Sequence, residues 1–176
     1  KRKGSKFQNF KYFYDKYKTT IEIYERFFIL DENIVFDVDD INKMFEISRE
    51  YNFDICGPSF SNDSNISYGI TKHKKDVFLS YTNFVEVNVP LFNKTALDKL
   101  MNVLDDSLIV WGIDFLYIWC NGIYKRESYA IIHNIKCINP KETVKHNKMI
   151  ELTSVENCDL GENIWKIFAD KINCPN

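Results

Sequence analysis

Short apolar runs alternating with stretches of helical period predict an α/β sandwich with a mostly parallel central sheet flanked by helices. Three observations carry this reading. Residues 26–30 form a strongly apolar run that stops abruptly at Asp31, as expected of a strand buried on both faces. Residues 37–50 then restore a helical period, with Ile41, Met44, Phe45 and Ser48 on one face. Finally, 176 residues with 45% hydrophobic side chains, only 6 Gly and 4 Pro suit one packed core and exclude a disordered or linker-type chain. Residues 1–176 are read as a single domain.

The elements follow in order. Residues 7–24 read as a helix packing one aromatic face through Phe10, Phe13, Tyr14 and Tyr17. After the strand at 26–30, Asp37 or Asp39 can cap the next helix. Residues 53–56 read as a short strand stopped by Gly57 and Pro58, and the polar stretch 59–75 as a surface loop. Residues 84–91 alternate, with Val85, Val87, Val89 and Leu91 on one side and Glu86 and Asn88 on the other, which predicts a half-buried strand. A helix over 95–106 carries the stripe Leu97, Leu100, Met101 and Leu104. A Trp-Gly turn leads into a helix over 114–120, and 129–133 is the last strand. Ile164, Trp165, Phe168 and Ile172 mark a C-terminal helix.

Charge and motifs narrow the chemistry. There are 23 basic and 25 acidic residues, a net charge of -2, so no global field favours a nucleic-acid partner. No apolar run reaches the roughly 18 residues of a membrane span. The basic start Lys1-Arg2-Lys3 has no apolar signal core after it and reads as a solvated tail. The five cysteines (Cys56, Cys120, Cys137, Cys158, Cys174) are odd in number and make no CxxC pair, so reduced, buried thiols are expected. Three Asn-x-Ser/Thr sequons, at Asn62, Asn65 and Asn93, are discounted as chance matches in an Asn-rich chain. These features favour a soluble cytoplasmic protein. No Gly-rich phosphate loop, Gly-x-Ser-x-Gly elbow or HExxH is present.

Several residues can carry chemistry. Asp31 and Asn33, on the turn after the first strand, can reach one hard cation of the Mg²⁺ or Mn²⁺ kind; the same turn equally serves to solvate a strand end. Asp37 and Asp39 compete for that role, but they stand where a helix begins and already have a capping purpose. Gly112 permits a sharp path, after which Asp114 projects from the first turn of a helix, either as a general base or as a cap. Trp111 beside it offers a flat face to the C–H side of a sugar, or fills the core. His133 closes a strand, as a metal ligand or as a hydrogen-bonded structural residue. His73 and His146 are assigned no role.

Taken together, the segments 28–33, 57–61, 82–87 and 111–114 resemble, in order, a glycosyltransferase-like family of plants, algae and some large viruses. The likeness spans roughly 25–133. Its elements are a strand with a DxD turn, a helix, a loop, an FVE strand, a WGxD turn and a late His. The resemblance implies a GT-A-like, Rossmann-like fold and transfer of a hexose from a UDP- or GDP-sugar to a glycan or glycoprotein hydroxyl. It implies Mn²⁺ or Mg²⁺ on Asp31, Asn33 and His133, Asp114 near the acceptor hydroxyl as the base of an inverting reaction or as an acceptor-binding group in a retaining one, and Glu86, Trp111 and Gly112 lining the sugar pocket. Asp31-Glu32-Asn33 departs from Asp-x-Asp, replacing one charge by an amide dipole. Only about 30 residues precede Asp31, so the resemblance implies either a domain lacking its first strand–helix units or incomplete nucleotide binding. A non-catalytic carbohydrate-binding relative is the alternative, and a metal-dependent phosphoesterase a third reading.

Overall fold

The computed structural model describes residues 3–141 and 161–175. Lys1, Arg2, His146 and Cys158 lie outside the described residues. The architecture is α/β: a five-stranded sheet carries helices on both faces. Helix α1 (Lys6–Lys16) starts in a capping box, in which the Ser5 amide donates to Gln8 Oε1 at 2.8 Å and Ser5 Oγ accepts from the Gln8 amide. The chain breaks at Tyr17 before the short α2 (Lys18–Ile21), so the expected single helix is two. Its packed face is also displaced. Phe7, Phe10 and Tyr14 face the core, whereas Phe13 and Tyr17 stay exposed and pair with each other at 5.0 Å. Strand β1 (Arg26–Phe28) follows, then α3 (Val38–Glu50), capped by Asp37 through the Asp39 amide at 2.9 Å.

Strand β2 (Ile55–Phe60) is buried throughout and runs through the expected stop at Gly57 and Pro58. Its antiparallel pairing to β4 (Leu91–Asn93) covers only Ile55 and Cys56, so Pro58 has no ladder on that side to break. Strand β3 (Leu79–Tyr81) lies within the stretch that follows, and helix α4 (Lys94–Val103) takes its cap from Asn93, which accepts from the Ala96 amide at 2.7 Å. Helix α5 (Ile113–Asn121), β5 (Tyr129–Cys137) and α6 (Gly161–Ile172) complete the order.

The strand order is β1-β4-β2-β5-β3, and only β2 with β5 is parallel. The sheet is therefore mixed, which corrects the expectation of a mostly parallel one. The physical reason is that burial on both faces does not require parallel neighbours. Helices α1, α4, α5 and α6 pack one face around Phe7, Phe92, Leu97, Tyr117 and Trp165, and α3 packs the other through Met44 and Ile47. Short strands so covered read as apolar runs whatever their direction.

A second correction concerns 84–90, expected as a strand. This segment is not a strand: it turns at Glu86–Val89, where the Val89 amide donates to Glu86 O at 3.3 Å, and Asn88 O and Pro90 O meet the chain beyond β1, accepting from the Asp31 and Ile29 amides at 3.0 Å each. Val85 and Val89 enter the core, and Glu86, on the expected polar side, is buried as well. Alternation in sequence here marks an irregular segment wedged between layers, not a strand with one wet face.

Candidate functional site

The site is assembled from the 84–90 segment, the turn before α5 and the loop before β3. Gly112 caps α5 in the left-handed region at φ 81°. A Cβ there would fall 2.0 Å from Trp165 Cδ2, so the α6 indole lies flat against the bare backbone. Across the same junction, Gly161 leaves room for Trp111, whose Cδ1 would meet an added Cβ at 2.9 Å. Trp111 is thus held by α6 while remaining 52% exposed. Phe115 stacks on Trp165 at 6.4 Å and meets Phe84 at 5.9 Å; Phe84 in turn meets Tyr68 at 4.5 Å. An aromatic wall therefore runs beside the turn.

Within this frame, a cavity of about 230 Å³ is lined by Tyr68, Glu86, Asn88, Trp111, Gly112 and Asp114, among others. Glu86 is 2% exposed; its Oε2 accepts from Thr71 Oγ1 at 3.2 Å and its Oε1 from Asn88 Nδ2 at 2.9 Å. Asp114 is 5% exposed, and burial raises its carboxyl from 3.8 to about 6, partly opposed by the Phe115 amide that donates to Oδ1 at 3.1 Å. Two carboxylates in one small apolar-walled hollow, one of them with its pKa raised to about 6, can accept hydrogen bonds from hydroxyl groups and move a proton.

The structure therefore brings Glu86, Trp111, Gly112 and Asp114 to one cavity. It places the other sequence-derived candidates differently. The Asp31 carboxylate is bound by the Lys6 ammonium at 2.8 Å. Asn33 lies in the turn closed by the Ile34 amide donating to Asp31 O at 3.2 Å. Asp37 acts as the α3 cap. His133 lines a second hollow of about 350 Å³ with His73, Lys74, Asp76, Phe78 and Lys136. Its Nδ1 accepts from the Lys74 amide at 3.3 Å, so in the neutral ring the proton sits on Nε2 and is donated to Ser80 Oγ at 3.1 Å. Burial, then Lys74 and His73, push its pKa down to about 4, which keeps it neutral at pH 7.

These contacts bear on the Mg²⁺ or Mn²⁺ implied by the resemblance. As placed, Asp31, Asn33 and His133 do not fit one ion: an ammonium already holds the carboxylate, and the single imidazole lone pair is taken by a backbone N–H. Among the described residues, no group of three or more His, Cys, Asp or Glu side chains could hold a metal ion. The described cysteines are free thiols, and burial pushes Cys56, Cys120 and Cys137 up to about 12 and Cys174 to about 11, so they are poor nucleophiles. No helix among the described residues is long and apolar enough to cross a membrane.

Sequence reasoning missed Tyr68, Asn88, Trp165 and Lys6 as site components. Trp165 carried a signal in the apolar stripe of α6 and Asn88 in its place two residues from Glu86 on the same polar side; Tyr68 and Lys6 are brought in by contacts between distant segments. Compared with protein families, curated proteins and solved structures, the chain matches none.

Proposed function

We propose that this α/β unit is a GT-A-like glycosyltransferase domain that moves a hexose from a nucleoside diphosphate sugar to a hydroxyl of a glycan or glycoprotein. One observation carries the reading: Glu86, from the 84–90 segment, lines the same cavity as Trp111, Gly112 and Asp114 of the turn before α5. Trp111 and Tyr68 offer flat faces to the apolar side of a sugar ring, and Glu86 offers acceptors to its hydroxyls. At about 230 Å³ the hollow is smaller than the ~300 Å³ at which pockets for drug-sized ligands begin, which is the size class of a single ring.

In this mechanism Asp114 takes the proton of the acceptor hydroxyl. The oxygen attacks the anomeric carbon, forming the new C–O bond. The bond from that carbon to the diphosphate oxygen breaks, and its electron pair leaves on the nucleoside diphosphate. A single displacement on the face opposite the leaving group inverts the anomeric carbon, and it is in such an inverting reaction that Asp114 serves as the base.

The second reading is a carbohydrate-binding protein without turnover, favoured by the Lys6–Asp31 pair at the turn expected to hold a cation. Incubation with UDP- and GDP-hexoses, with and without Mn²⁺, separates the two. Transfer predicts release of nucleoside diphosphate whose kcat/KM rises with pH through about 6, and its loss in Asp114→Asn. Saturable glycan binding with no nucleotide release, unchanged across that pH range, sinks the transferase.

A further inference from the structure

Lys6 opens α1, yet its ammonium is not solvated like that of a surface lysine; the side chain is only 19% exposed. Its Nζ lies 2.6 Å from Val87 O, 2.8 Å from Asp31 Oδ1, 3.2 Å from Asn88 O and 3.4 Å from Ile29 O. These oxygens come from the end of the first strand region and from the turn that carries Glu86. A carboxylate with backbone carbonyls is the ligand chemistry that hard cations prefer. An ammonium is a compact point charge whose three N–H groups this set saturates. Burial depresses the Lys6 pKa, and the charges of Asp31 and Glu86 oppose that loss.

We propose that these four oxygens form a cation seat whose resident is the chain's own Lys6 ammonium, and that Mg²⁺ or Mn²⁺ enters it only when Lys6 is removed. The seat ties Val87 O and Asn88 O to Asp31, whose own amide donates to Asn88 O at 3.0 Å. It thereby fixes the turn that points Glu86 at the cavity, and Lys6 is a positioning residue for that wall. The inference stands apart from the sugar-transfer reading, because its readouts need neither sugar nor turnover.

Thermal unfolding of the full chain in rising Mn²⁺ or Mg²⁺ tests it. The wild-type Tm stays level, whereas Lys6→Ala starts lower and recovers several degrees in a saturable way, since an ion that binds only the native state raises its stability. The Lys6→Ala/Asp31→Asn double variant loses that recovery. A wild-type Tm that climbs saturably with Mn²⁺ and is levelled by Asp31→Asn overturns the proposal, as does a Lys6→Ala protein no more responsive than wild type. Should Lys6→Ala not fold, the wild-type protein decides alone. Its amide NMR signals at Asp31, Asn33 and Asn88 stay sharp in dilute Mn²⁺, and selective paramagnetic broadening of those signals sinks the idea.

Discussion

Asp114 carries a carboxyl that water hardly reaches, at 5% exposure, and the consequence is a proton held up to about pH 6. The folded state binds this proton more tightly than the unfolded chain does. Stability therefore rises as pH falls from about 6 towards 4, and the penalty of the ionised group is fully present above about pH 7. A carboxyl raised from 3.8 to about 6 costs on the order of 3 kcal/mol when charged. Asp114→Asn should accordingly be more stable than wild type in neutral urea titrations by roughly 1–3 kcal/mol, and the gain should shrink away by about pH 4. A variant less stable at neutral pH, or a gain independent of pH, would show that the charge is not strained. The same residue was visible in the sequence because a Gly followed two residues later by an Asp is a local signal for a helix start. Its burial was not visible, since that depends on Tyr68 and Glu86 arriving from elsewhere. Lys6 had no local signal at all: its partners lie 23 to 82 residues away.

Between α5 and α6 the two glycine–tryptophan contacts act as a pair of keyed joints. Adding a methyl at Gly112 forces a side chain onto a left-handed backbone at φ 81° and drives Cβ into the Trp165 ring. Gly112→Ala should cost about 2–4 kcal/mol, combining backbone strain with overpacking. Trp165→Ala should cost about 3–5 kcal/mol through the lost core contacts. In the double variant the clash has gone, so the two costs should fall short of their sum by more than about 1 kcal/mol. Simple additivity in chemical denaturation would mean that Trp165 does not set the limit at Gly112. Helix α3 was legible from cap chemistry, because Asp37 acts on its own neighbour, and α5 from the sharp turn that Gly112 permits, although the cap position is Gly112 and not Asp114. The path of the 84–90 segment was not, because its carbonyls are shared among the Tyr117 hydroxyl, the Lys6 ammonium and the Ile29 and Asp31 amides instead of one continuous strand.

At the scale of the molecule, the sheet is held from its middle. Strands β4, β2 and β5 are paired on both sides, while β1 and β3 are three-residue edges. Amide exchange should be slowest in Ile55–Phe60 and in the N-terminal half of β5, and measurably faster in Leu79–Tyr81 and Arg26–Phe28, as expected when edges open without the core. Mass-spectrometric exchange showing β3 as protected as β2 would contradict this. The amino-acid sequence alone determined the α/β class and the helices α3, α4, α5 and α6, because periodicity and capping are effects of near neighbours. Strand direction, the path of 84–90, the burial of Glu86 and Asp114, and the occupation of Asp31 by an ammonium were decided by tertiary structure. Each depends on which distant segments meet, and a one-dimensional pattern of apolar and polar residues carries no information about that meeting.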